Sequence, residues 1–427
     1  MSDNSTAARG GTEPQHLPVI VIGGGQAGLS ISYYLQRLGI EHLVLEKHTM
    51  THTWRSQRWD AFCLVTPNWQ CALPDHPYAG PDPHGFMKRD EIVDYLDSFI
   101  QKVAPPVREH AEVRSVKRRP QGGFQVTVGH DTFTADHVVV ASGGYHVPIV
   151  PRMAERLPST IAQVQSADYR NPQSLPEGAV LVVGSGQSGA QIAEDLHLAG
   201  RKVYLAVGEA PRCARFYRGR DVVDWLADMK YYDLPVTAHP LREGVRDNTN
   251  HYVTGRDGGR DIDLRKFAAE GMELFGVLED YRDGEMRFAP NLRQSLDDAD
   301  ATYNRINASI DRYIAERGID APPASVYSPV WAPAGERDSL DLQAAGIGSI
   351  IWSIGFRPDF SWLEVPVFNG RGYPGHERGV TSQAGLYFLG LPWLHTWGSG
   401  RFSGIARDAA YLADVIGEAV QEVAVAA

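Results

Sequence analysis

Cysteine is scarce in this chain: Cys63, Cys71 and Cys213 are its three among 427 residues. A sparse, odd set argues against a disulfide framework, and the spacings match neither a zinc ribbon nor a C-x-x-C redox pair. A reduced compartment suits such a sequence, so a cytoplasmic protein is expected. No apolar run reaches the roughly 18 residues of a membrane span. The polar start, residues 1–16, lacks the apolar core of a signal peptide and reads as a disordered tail. Positive charge is in deficit, with 41 Lys plus Arg against 52 Asp plus Glu and a net charge of −11. That balance argues against nucleic-acid or anionic-membrane partners. Metal-ligand patterns are missing too, because His48 and His52 find no third ligand, and no metal is expected. Glycine, by contrast, is abundant at 43 residues, as in chains whose backbone must approach a ligand closely.

The glycines fall into pattern. Leu17 to Ile22 reads as a buried parallel strand, followed by Gly23-Gly24-Gly25-Gln26-Ala27-Gly28 and a helical stretch that Gly39 stops. Ile40 to Leu45 makes the next strand, ending in Glu46 and Lys47. In a G-x-G-x-x-G turn, Gly23 permits the bend, Gly25 admits a pyrophosphate and Gly28 lets helix pack on strand. Glu46, 18 residues after the last glycine, can accept hydrogen bonds from a ribose. The pattern recurs from Ala179 to Val207, with Gly184-Ser185-Gly186-Gln187-Ser188-Gly189 between strand and helix. Two such units imply two bound dinucleotides, one a resident electron carrier and the other a diffusing hydride donor.

Three further strands run into glycine turns: Ala135 to Gly144, which contains Ala141-Ser142-Gly143; Gly348 to Arg357, which contains Gly355; and Gly385 to Gly390. An amphipathic helix is expected from about Ser403 to Ala419. Between Glu209 and Gly346 the pattern suggests helices at Asp221 to Met229 and Leu264 to Ala269. A hairpin is expected over Met272 to Phe288, turning at Asp283-Gly284.

Taken in order, these features resemble the class B flavoprotein monooxygenases. They are the two glycine motifs with Glu46, His52-Thr-Trp54-Arg55, Val138 to Gly143 followed by Pro148 and Pro151, Ile354 to Pro358 and Leu386 to Gly390. The nearest likeness is to a bacterial group of flavin-dependent oxidoreductases of unassigned substrate. The resemblance implies an α/β fold of two Rossmann-like dinucleotide-binding domains. Residues 17–150 and 347–427 would form an FAD-binding domain, and 151–346 an inserted NAD(P)H-binding domain with a helical and hairpin insertion. It implies FAD and NADPH, or else NADH, as cofactors, and a small-molecule substrate and dioxygen as partners. In such enzymes a flavin C4a-(hydro)peroxide transfers oxygen. A homo-oligomer is left open. The family fingerprint F-x-G-x-x-x-H-x-x-x-W/Y survives only in its aromatic, Tyr169, with Gln165 in the histidine position. A soft heteroatom, nitrogen or sulfur, is therefore the better target than a ketone. The alternatives are a flavin oxidase or dehydrogenase, and a non-catalytic flavin redox sensor.

Candidate site residues follow from both readings. Trp54-Arg55 would lie near the flavin or its phosphates. Asn68 falls near the place where the family sets an asparagine beside the flavin, and the competing reading is an ordinary Pro-Asn turn. His395, between Trp393 and Trp397, would be a proton shuttle in a substrate wall or part of the packing over the flavin. For the nicotinamide nucleotide, Arg212 and Arg215 would clamp a 2′-phosphate against the opposing charge of Glu209, favouring NADPH.

Overall fold

The computed structural model describes residues 14–426. Most of the expected tail lies outside the described residues, but its last three positions do not, and Gln15 and His16 already belong to the first strand. That strand, β1 (Gln15–Ile22), leads into α1 (Gln26–Arg37) and β2 (His42–Leu45), the βαβ unit expected around the first glycine motif. Val21 pairs in parallel with Val44 on one side and Val139 on the other, and all three are fully buried. A strand covered on both faces reads as continuous Val and Ile for this reason. After α2 (Arg89–Val103) come the strands β3 (Val113–Arg118), β4 (Phe124–Val128) and β5 (Asp131–Val140), an antiparallel meander whose last strand returns beside β1.

The chain then crosses to a second sheet. It contains β6 (Ala162–Gln165), β7 (Ala179–Val183), β8 (Val203–Ala206) and β9 (Glu273–Phe275), with α3 (Gln187–Leu198) between β7 and β8. A hairpin, β10 (Leu278–Arg282) and β11 (Glu285–Phe288), turns at Asp283-Gly284 as the sequence indicates, with positive φ at both turn residues. The expected start of that hairpin belongs elsewhere: Glu273–Phe275 pairs in parallel with β8. The helix α4 (Leu292–Arg317) and the strand β12 (Ser339–Asp341) follow, β12 adding to the hairpin.

The strand β13 (Ile347–Trp352) corrects the expected boundary at 347. It inserts in parallel between β6 and β7, giving the order β6-β13-β7-β8-β9, so it completes the second sheet rather than the first. Its burial on both faces makes it indistinguishable from a first-sheet strand by pattern alone. The chain then returns: β14 (Leu386–Phe388) pairs in parallel with the end of β5, and α5 (Ile405–Ala426) packs on α1. At the crossings, Val147–Pro148 pairs antiparallel with Phe356–Arg357. The passages out and back are thus zipped together.

Candidate functional site

The two glycine loops share one geometry. Gly23 and Gly184 take φ of +113° and +100°, open to glycine. A Cβ on Gly28 would stand 1.9 Å from the Gly23 carbonyl oxygen, and one on Gly189 would stand 1.9 Å from that of Gly184. These contacts bring each helix hard against its strand. No side chain caps α1 or α3, so their first-turn amides are left for a ligand. Around the position of a Gly25 Cβ no atom lies within 4 Å, and at Gly186 only Thr249 comes near, at 3.4 Å. Both loops are cradles that fit a pyrophosphate.

Glu46, the residue expected at the ribose, directly follows β2. Its Oε2 accepts from the Gly24 amide at 2.6 Å and its Oε1 from His48 at 2.8 Å, which fixes the carboxylate beside the first cradle. Gln26, the first residue of α1, joins two other segments. Its Oε1 accepts from Trp54 Nε1 at 3.1 Å, and its Nε2 donates to the Gly400 carbonyl at 3.0 Å. Gly390 adjoins the same spot, since its Cβ would lie 2.7 Å from that of Ala27. Ser142, two residues beyond β5, has a buried hydroxyl with no partner among the described residues, and Gly143 beside it has φ +77°. Both the orphaned hydroxyl and the open backbone fit a dinucleotide passing over the strand ends. In the second loop Ser185 Oγ accepts from the Gly208 amide at 3.0 Å, Gln187 Nε2 donates to the Val253 carbonyl at 2.6 Å, and Ser188 follows in the first turn of α3. Gly355, with φ +95°, lies in the returning crossing, where its carbonyl accepts from Ile149 at 2.9 Å.

The two cradles meet. Arg401, which follows Gly400, donates to Asn250 Oδ1 at 2.8 Å, and Asn250 follows the Thr249 that overhangs Gly186. A continuous run of contacts therefore connects the start of α1 with the start of α3.

Several side chains lie elsewhere than expected. Arg55 turns from the first cradle to α2, where it meets Asp97, and it also bonds Met50 O and Thr51 Oγ1. Lys47 points outward to Glu112 at 2.8 Å. Asn68 is buried with both ends of its amide engaged: Nδ2 donates to Asp82 O at 2.9 Å and Oδ1 accepts from Met87 N at 2.8 Å. It fastens the 82–87 loop at the wall of a cavity of about 690 Å³. Both polar ends of the amide expected beside the flavin are thus engaged by backbone of this loop.

Arg212 and Arg215 are corrected most fully. Both are almost wholly buried. Arg212 faces Asp263 at 3.2 Å and Asp300 at 3.5 Å, and its guanidinium lies over the rings of Tyr327 and Tyr303 at 4.0 and 4.5 Å. Arg215 pairs with Asp221, donates to Val65 O at 2.7 Å and covers Phe86. Neither can clamp a 2′-phosphate, whereas Glu209 is exposed just beyond β8.

His395 is half-buried in the turn after β14, its backbone held by Ser399 Oγ at 3.0 Å and by the Val236 amide at 2.7 Å. Burial lowers the pKa of its ring. The segment around Val236 and Val245 packs over Trp393 and Trp397, with His239 against Trp393 and Tyr232 against Trp397. Burial raises the thiols of Cys63 and Cys71, the latter to about 12, so both stay protonated. Among the described residues, no three His, Cys, Asp or Glu side chains are placed to hold a metal, and no helix is long and apolar enough to cross a membrane.

Sequence reasoning missed Arg58 and Arg401. Arg58 lies over the Trp54 ring at 4.8 Å and Arg401 over Trp397 at 4.0 Å. The available signals were the four-residue spacing from Trp54 to Arg58 and the isolated cation inside Gly398-Ser-Gly-Arg401-Phe-Ser-Gly404.

Comparison with known proteins agrees with this geometry. Residues 20–229 match the family model described as pyridine nucleotide-disulphide oxidoreductase. An oxidoreductase of Geobacillus kaustophilus described as uncharacterized and CzcO-like is 32% identical over 405 residues, covering 93% of this chain and 98% of the relative. Another, CzcO of Bacillus subtilis, is 29% identical, covering 92% of this chain and 97% of the relative. Among solved structures, a flavin-containing monooxygenase from Stenotrophomonas maltophilia superposes with a TM-score of 0.63 at 19% identity. The superposition covers 95% of this chain and 99% of that one.

Proposed function

This chain belongs to the CzcO-like oxidoreductases of the pyridine nucleotide-disulphide oxidoreductase family, and from that premise we propose that it is an FAD-containing monooxygenase acting on a small molecule at nitrogen or sulfur. The observation that carries the reading is the pair of matched glycine cradles joined across one cleft, which suits hydride transfer between two dinucleotides. Bound FAD would supply hydride acceptance and oxygen activation, chemistry that no amino-acid side chain provides. The protein's residues do the rest. Glu46 and the α1 amides hold one dinucleotide and the α3 amides the other. The turn from Trp393 to Trp397, covered by the Val236 segment, keeps water from the cleft. His395, kept neutral by burial, is available to accept a proton there.

With Arg212 and Arg215 committed to internal carboxylates, the charged residue left at the end of β8 is Glu209. It accepts from a ribose 2′-hydroxyl and repels a 2′-phosphate, so the reading shifts from NADPH to NADH. The test is stopped-flow reduction of the FAD-loaded protein by each nucleotide, followed by a substrate screen that reads nucleotide oxidation together with product mass. The expected result is faster reduction by NADH and a product heavier by one oxygen atom. Nucleotide oxidation that yields only hydrogen peroxide across the screen would make the protein an oxidase.

A further inference from the structure

The fully buried guanidiniums of this protein each face a carboxylate: Arg212 faces Asp263 and Asp300, Arg215 faces Asp221, and Arg265 faces Asp297 and Asp300. Arg58 and Arg401 are different. Among the described residues neither forms an ion pair. Arg58 donates to Gln57 O at 2.8 Å, and Arg401 to Trp397 O and to Asn250 Oδ1. Each is half-buried and keeps some accessible surface.

The two sites are contiguous. The Arg58 guanidinium covers Trp54 at 4.8 Å and Phe62 at 5.4 Å, and Trp54 stacks at 5.2 Å on Phe402, the neighbour of Arg401. Arg401 itself lies over Trp397 at 4.0 Å, and both guanidiniums come within electrostatic range of the Tyr145 phenol. Burial depresses both guanidiniums, Arg58 to about 10, and the groups that oppose this are phenols: Tyr145 for both, with Tyr231 and Tyr232 for Arg401. A neutral phenol is poor compensation for a desolvated cation, and an anionic ligand would supply what is missing. The pyrophosphates already have their own donors in the helix amides at Gly25 and Gly186.

We propose that Arg58 and Arg401 form an anion-binding end of the substrate pocket, and that the substrate is a flat, largely apolar organic acid. Its carboxylate bridges the two guanidiniums, and its body meets the partly exposed edges of Trp54, Phe62 and Trp397, whose faces are already covered. Guanidinium suits this task, since its planar fork matches a carboxylate while its face stacks on arenes. The proposal rests on reading the cleft as the reaction site.

The test uses FAD-loaded protein titrated with 2-naphthoate and with neutral 2-naphthamide, followed by calorimetry and by the flavin absorbance shift. The acid is expected to bind at least about tenfold tighter than the amide. Arg58→Met should weaken the acid by about tenfold and leave amide binding and flavin content unchanged, and Arg401→Met, which also loses its bond to Asn250, should weaken the acid by about tenfold relative to the amide per bound flavin. Arg58→Lys and Arg401→Lys, which keep the charge, should recover part of the loss and guard against misfolding as the explanation. Equal affinity for acid and amide would overturn the proposal. So would variants that release flavin or weaken NAD⁺ or NADP⁺ binding while naphthoate is unaffected, because the guanidiniums would then serve dinucleotide phosphates. Binding is read without turnover, so a protein that binds naphthoate yet oxygenates nothing would refute the proposed reaction and leave this site standing.

Discussion

Gly25 and Gly28 stand three residues apart and fail in opposite ways when given a side chain. Nothing lies near the position of a Gly25 Cβ, so Gly25→Val should fold normally while filling the pyrophosphate cradle. Colourless, folded protein is the expected outcome, read from flavin absorbance and circular dichroism on one sample. Gly28→Ala instead drives a methyl into the Gly23 carbonyl and should cost the fold itself. Asn68 supplies a second residue-scale contrast. Asn68→Ala removes both partners of the 82–87 loop, so urea unfolding should show a loss of about 1–3 kcal/mol. A product-to-peroxide ratio that changes while stability does not would restore the catalytic role that its position in the sequence suggested.

At the scale of elements, the strand–glycine–helix units were legible in the sequence because everything that makes them is local. The apolar run, the turn glycines and the helix periodicity fall within about thirty residues of each other. The helices at Val222–Asp228 and Leu264–Ala269 were legible for the same reason, each opened by an aspartate cap. Partners distant along the chain were not. The sheet to which Ile347–Trp352 belongs depends on its pairing with Ala162–Gln165 and Ala179–Val183, and no periodicity encodes that. Arg212 and Arg215 failed likewise, because the groups that claim Arg212 come from the cap at Asp263 and from α4, through Asp300 and Tyr303. Arg212→Ala should therefore act on that junction. Asp263 left without a guanidinium, and Asp300 with Arg265 alone, should cost about 3–5 kcal/mol in denaturant unfolding. The ratio of kcat/KM for NADPH to that for NADH should not move. A selective loss of NADPH activity would return Arg212 to the nucleotide site.

Across the whole molecule, two partly buried histidines contribute to acid sensitivity. Burial holds the rings of His251 and His376 at about 4, well below the ordinary 6.5. Between those values the unfolded chain binds more protons than the folded one, so stability is full above about pH 6.5 and is lost as pH falls toward 4. Thermal unfolding followed across that window should show a falling Tm, and His376→Gln should flatten the fall. An unchanged slope in that variant would place the acid sensitivity in other groups.

The zipped crossing has a consequence for how this chain could be taken apart. Val147–Pro148 and Phe356–Arg357 lie side by side, so the stretch between them leaves and re-enters at one point. Within the first sheet, β14 pairs with β5 and Leu363–Glu364 pairs with β3, without using any strand from that stretch. The second sheet likewise draws all five of its strands from inside it. The inserted half is therefore a cassette with adjacent ends. A short linker could close the gap it leaves, and joining its own ends would make a circle, giving two pieces that can be swapped between relatives without cutting a strand of either sheet.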